Sequence, residues 1–199
     1  SCSNRAPSVP PMPMRWEFRP HVDRANPILA LIGSPTELTK LQSDRLESQS
    51  GVDLITVDDP ASDVSQLLSR LRASAEIGKT VIGIRTTSRD GSAPDPLHAS
   101  QMLALIIDLA VECADSMQFD GIYASGGDVA FAVLDALGAR GYEVENEVVP
   151  LAVSGKLVGG PHDGLGFATK GGLVGDADAA VECINQLRSR IRQSEPRIV

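Results

Sequence analysis

Two glycine-rich turns, each set between a short apolar run and a helix-forming stretch, constrain this chain more than any other feature. The first is Ser125-Gly126-Gly127-Asp128, within FDGIYASGGDVAFAVLDALGA (119–139). The second, Thr169-Lys170-Gly171-Gly172-Leu173-Val174-Gly175, also separates an apolar run from a helical one. Strand-to-helix turns of this kind expose bare backbone N–H groups, and each helix start adds unpaired donors and partial positive charge. A lysine or an acidic residue beside each turn suits a phosphate accompanied by a metal ion. The residues raise a nucleotide site before any family is considered.

Bulk properties set limits around that idea. A chain of 199 residues is long enough to bury a full core as one domain, with or without a tail. A net charge of −8 and a pI near 4.8 argue against a nucleic-acid or anionic-membrane surface. A local anion site made of backbone dipoles and one lysine survives that balance. Cys2, Cys113 and Cys183 are odd in number and show no CxxC spacing, which points to reduced, structural thiols. The sequence has no run of 18 apolar residues and no signal-peptide core, so a cytoplasmic protein is expected.

Residues 1–26 carry five prolines with little periodicity and read as a linker or extended lead-in. From 27 onward the pattern is regular, and 27–199 reads as one domain. Apolar runs at 28–32, 52–57, 80–85 and 119–124 alternate with helical patterns at about 35–49, 62–77, 97–117 and 128–139. The stretch 142–169 breaks into short β segments separated by Pro150, Gly155, Gly159-Gly160-Pro161 and Gly164. An amphipathic helix follows at 176–192. The expected fold is α/β: a mainly parallel, Rossmann-like sheet with helices on both faces and a small antiparallel excursion at about 142–169. Ligands of such sheets bind beyond the C-terminal ends of the strands. Gly33-Ser34, Ser125–Asp128 and Lys170–Gly172 all fall at such ends, so they can share one edge.

Each motif also has a plainer use. Gly126 and Gly127 permit close backbone approach, and Asp128 at the helix start can cap amides or hold Mg²⁺ through water. A tight turn with an Asp cap accounts for the same residues. Lys170 can reach a phosphate oxygen or sit in solvent. Ser34 can contact a nucleotide or serve as a helix cap. The 155–162 segment fits a flap or an ordinary hairpin, and Glu143, Glu145 and Glu147 alternate as on a solvated strand face. Gly78-Lys79-Thr80 fails as a phosphate loop because the glycine it needs upstream is Ala73 and a strand follows it. No G-x-G-x-x-G follows the first strand, and no HExxH, paired Cys/His spacing or G-x-S-x-G is present.

The order of these motifs resembles the C-terminal nucleotide-binding domain of the four-carbon acid sugar kinases, which include 3-oxo-tetronate, threonate and erythronate kinases. The resemblance rests on SGGDVA (125–130), ALGARGYEVENEVVPLAVSGKLVGGP (136–161) and GLGFATKGGLVGDADA (164–177). LIGSPTELTKLQ (31–42) is similar to the family's Gly-Ser-x-Ser/Thr-x-x-Thr opening. Val129 stands where the family usually has Thr. Gly171-Gly172-Leu173-Val174-Gly175 replaces its usual Ser/Ala-Gly-Gly/Asn-Phe-Gly, and Leu151-Ala152 replaces the usual glycine after the proline of the excursion. The resemblance implies ATP and Mg²⁺ as ligands. Ser34, Gly126, Gly127, Asp128, Val129, Lys170, Gly171 and Gly172 would lie at the nucleotide, with Asp128 at the metal. Family kinases hold the four-carbon sugar acid, and supply the catalytic base, from an N-terminal domain for which residues before Pro27 offer no equivalent. The chain alone is therefore expected to bind ATP without turnover and to carry no catalytic residue.

A rival reading is a non-catalytic α/β binding or interaction module with a degenerate phosphate site, which Val129 and the altered Lys170 loop favour. A third reading, a sugar-phosphate or NAD-type dinucleotide domain, is disfavoured by the missing glycine fingerprint. The sequence leaves a homodimer open.

Overall fold

The computed structural model of the chain describes residues 25–33, 36–87 and 95–194. Ser34 and the proline-rich lead-in (1–24) lie outside them.

Short apolar runs make the strands. They are β1 (Ile28–Ile32), β2 (Val52–Val57), β3 (Val81–Thr86), β4 (Gly121–Ser125), β5 (Gly141–Val149), β6 (Ala152–Val158) and β7 (Gly166–Lys170). Between them run α1 (Glu37–Glu47), α2 (Val64–Glu76), α3 (Pro96–Ser116), α4 (Gly127–Ala136) and α5 (Ala179–Ser194). The strands form one sheet in the order β2-β3-β1-β4-β7-β6-β5. The first five in that order are parallel, whereas β6 runs antiparallel to β7 and β5 antiparallel to β6. The expected antiparallel excursion is thus an extension of the same sheet.

Every residue of β1 and β4 is buried, as continuous apolar runs covered on both faces require. One face carries α2, α3 and α4, with Leu71, Ile106, Leu109, Cys113, Val133 and Phe167 in its core. The other carries α1 and α5 over Ile28, Leu46, Tyr123, Ala168 and Ile184. By length and composition α3 could cross a bilayer, but its Met102, Leu105, Ile106, Leu109 and Cys113 are buried against the sheet. It is a core helix. Pro96, one residue before the helical pattern read at 97–117, opens it at a position where a missing N–H costs nothing.

Cys113 and Cys183 are free and buried, and burial pushes their thiols up to about 12 and about 11. Structural thiols of this kind are inert. On β5, Glu145 pairs with Arg190 of α5 at 2.7 Å, and Lys156 lies 3.3 Å from Glu143. The glutamate face of this edge strand is therefore partly clamped, and the Arg190 hydrogen bond holds the Glu145 carboxyl below the ordinary carboxylate range.

Candidate functional site

The three glycine-bearing strand ends meet. Ile32 of β1 is in register with Ser125 of β4, and Ser125 with Lys170 of β7. The ladder continues one step past the strands: Gly33 N–H donates to the Ser125 carbonyl at 3.1 Å, and Gly126 N–H to the Lys170 carbonyl at 3.0 Å. After this edge the chain turns to opposite faces, β1 into α1 and β4 into α4. That divergence opens the crevice in which α/β sheets bind ligands.

Gly126 adopts φ 111, ψ 130, a conformation that side chains resist, and its carbonyl accepts the Ala130 N–H at 2.9 Å. It is the N-cap of α4 and brings no side-chain acceptor. By contrast, Thr36, Asp63 and Asp95 cap α1, α2 and α3 through their side chains. The first-turn amides of α4 therefore keep their hydrogen-bonding capacity and the positive end of the helix dipole. They face a cavity of about 580 Å³ lined by Gly33, Gly126, Gly127, Asp128, Val129 and Gly172, with Thr86 and Thr87 at the end of β3 and the first turns of α3. This volume lies within the range of small-molecule and cofactor sites.

Of the residues singled out from sequence, the cavity gathers Gly33, Gly126, Gly127, Asp128, Val129 and Gly172, while Gly171 lies outside its lining. Asp128 is exposed in the first turn of α4. Val129 is 5 % exposed, and a Cβ at Gly33 would collide with its methyl and lie 2.8 Å from Ile106 Cδ1. Gly33 thus lets α4 pack tightly against the β1 turn.

Lys170 is placed elsewhere. It is 2 % exposed, on the sheet face covered by α1 and α5, and its Nζ donates to the Gly171 carbonyl at 3.1 Å. Burial lowers its pKa. Its ammonium holds the start of the glycine loop from behind, and the loop presents Gly172 to the cavity. The 155–162 segment, one of whose readings was a flap, belongs to β6 and the turn after it. That turn lies at the opposite edge of the sheet, because Lys156 pairs with Gly166 at the N-terminal end of β7. The hairpin reading holds.

Sequence reasoning missed two parts of the site. The first is a latch from α1 to the loop after β7. The Thr36 and Thr39 hydroxyls, 3.0 Å apart, reach the Gly172 carbonyl at 2.8 and 3.0 Å. Gln42 Nε2 donates to the carbonyls of Val174 at 3.0 Å and Asp176 at 2.6 Å. The buried residues of α1 are Thr39, Gln42, Ser43 and Leu46, so its inward stripe is mostly polar. Its signal was the helical spacing of Thr36, Thr39 and Gln42. The Gln42→Leu variant should lose about 1–3 kcal/mol in urea unfolding, because two carbonyls lose their donor. An unchanged midpoint would show that the latch carries no stability. The second missed part is the α3 wall, which lies within the helical pattern at 97–117 and carries no motif of its own.

Comparisons with known proteins agree with this architecture. A family model described as a nucleotide-binding C-terminal domain matches residues 29–180. A D-erythronate kinase of Heliobacterium modesticaldum is 35% identical, covering 87% of this chain and 44% of that protein. A D-threonate kinase of Salmonella typhimurium is 27% identical over 75% of this chain and 40% of its own length. The chain thus spans less than half the length of these curated relatives. Among solved structures, a Bordetella bronchiseptica domain of unknown function, crystallised with bound citrate as a domain-swapped dimer, superposes with a TM-score of 0.71. It is 26% identical, with coverage of 82% of this chain and 41% of that one.

Proposed function

Because the chain belongs to the four-carbon acid sugar kinase family, as its nucleotide-binding C-terminal domain, we propose that it binds ATP in the cavity at the β1, β4 and β7 ends. The observation that carries this reading is the uncapped start of α4 opening onto that cavity. Phosphate oxygens would accept from the backbone amides of Gly127, Asp128 and Val129, where the helix dipole favours negative charge. Gly171 and Gly172 would close the other side, with Lys170 holding their loop in place, and Ser34 would contact the nucleotide.

Among the described residues no cluster of three His, Cys, Asp or Glu side chains offers a ready metal cage. Asp128 is the one carboxylate among the described residues lining the cavity. That fits Mg²⁺, which is usually held by one or two carboxylates, substrate phosphates and water. When bound, the ion supplies neutralisation of phosphate charge.

Phosphoryl transfer needs an aligned acceptor hydroxyl as well as a held nucleotide. The four-carbon sugar acid would be met by the part of the family kinases that this chain does not span. Residues 27–199 would then be the nucleotide half, joined through 1–26, and inactive when isolated. Val129 supports a second reading, a non-catalytic module: its buried side chain brings a methyl where a hydroxyl could have bonded phosphate.

The Asp128→Asn variant separates the two. Under the ATP reading, Mg²⁺ should strengthen ATP binding to the parent chain, and that gain should fall at least tenfold in the variant. The melting temperature without ligand should stay within about 1 °C, as expected of an exposed site. If the variant changes the melting temperature alone, the module reading takes over.

A further inference from the structure

Two helices open onto the cavity, and their first turns differ in a way that sets the direction of a bound ligand. At α3, Asp95 caps the helix by accepting the His98 N–H at 2.9 Å, and Pro96 has no N–H to offer. A carboxylate already occupies the positive end of that dipole, so a phosphate there would meet like charge. The wall that follows is mainly apolar: Ala99, Met102, Leu103 and Ile106 line the cavity along one side of α3, with His98 and Ser100 beside them. At α4, the amides of the first turn face the same space with no side-chain acceptor.

We propose that α3 forms the nucleobase subsite, so that the flat, weakly polar end of the nucleotide lies on Ala99, Met102, Leu103 and Ile106 while its phosphates reach α4. This assignment rests on the nucleotide reading and deepens it. Burial of a base against aliphatic side chains contributes by area removed from water, whereas the α4 amides contribute only to an anion. The two ends of one ligand are therefore recognised by different physics and can be weakened separately. Half-buried His98, with Ser100, Thr86 and Thr87 in the same lining, supplies polar groups to meet a base or ribose edge.

The test titrates the 199-residue chain with adenosine, inorganic tripolyphosphate and ATP. Leu103→Ala should weaken adenosine and ATP about fivefold each and leave tripolyphosphate unchanged. Gly127→Val should abolish tripolyphosphate binding and leave adenosine within twofold. Should Leu103→Ala fold poorly, NMR on the parent chain reads the same point. Adenosine should give contacts from the Met102, Leu103 and Ile106 methyls to the base protons, and tripolyphosphate should shift the Gly127–Val129 amides. The reverse pattern, or equal losses for all three ligands in Leu103→Ala, would overturn the subsite. If the parent chain binds ATP yet the base protons touch other methyls, this assignment falls and the nucleotide reading stands. If it binds none of the three, both fall.

Discussion

Gly127→Val should abolish ATP binding, by at least a hundredfold, while leaving the chain folded. A Cβ built at Gly127 meets no other atom within 4 Å, although the residue lines the cavity at the start of α4. The isopropyl group would enter open space over the very amides proposed to hold phosphate. Nothing in the protein needs to move for it, and valine is a better helix residue than glycine, so the melting temperature should hold or rise slightly. A hundredfold loss corresponds to about 2.7 kcal/mol, the scale of one or two charge-assisted hydrogen bonds. Calorimetric titration beside a thermal melt separates the two effects. Full ATP affinity in a folded Gly127→Val chain would show that phosphates do not sit at α4.

Gly83→Ala should show the converse, a large loss of stability from a change outside the cavity lining. Gly83 lies in the interior of β3, paired with Ala30 of β1. A Cβ there would overlap the Ala30 carbonyl oxygen and stand 2.7 Å from its carbon and 2.9 Å from its Cα. These are backbone atoms of a strand that is wholly buried and held on its other side by β4, so β1 cannot retreat. Overpacking of this kind costs about 3 kcal/mol or more, which for a domain of this size lowers Tm by roughly 6 °C or more. Urea unfolding measures it directly. A change under about 0.5 kcal/mol would mean that β1 and β3 do not approach as described.

The architecture was legible because parallel strands buried on both faces leave continuous apolar runs, and β1 and β4 do so plainly. The joint position of the glycine turns followed from the same rule, since strand ends of one parallel sheet share an edge. What escaped detection was hidden by dual use. Met102 and Ile106 have the spacing of a core stripe and are in fact buried, yet they also line the cavity. Periodicity cannot tell a core wall from a binding wall. In α1 the inward stripe of Thr39, Gln42 and Ser43 is polar, so a hydrophobic pattern could not flag it as the packed face. Its partners are backbone carbonyls more than a hundred residues away, which no local signal reveals. Lys170 shows the limit from the other direction. A lysine before two glycines reads as a phosphate ligand or a solvated side chain, but strand alternation buries it beneath α1 and α5, outside the cavity lining.

The central claim is that this fold binds a nucleotide through its anionic end at the start of α4. Calorimetric titration of the chain with ATP and Mg²⁺, with NAD as a control, tests it most directly. Saturable binding in the micromolar-to-millimolar range, strengthened by Mg²⁺, displaced by tripolyphosphate and indifferent to NAD, is the predicted result. No heat and no shift in melting temperature at saturating ATP and Mg²⁺ would contradict it.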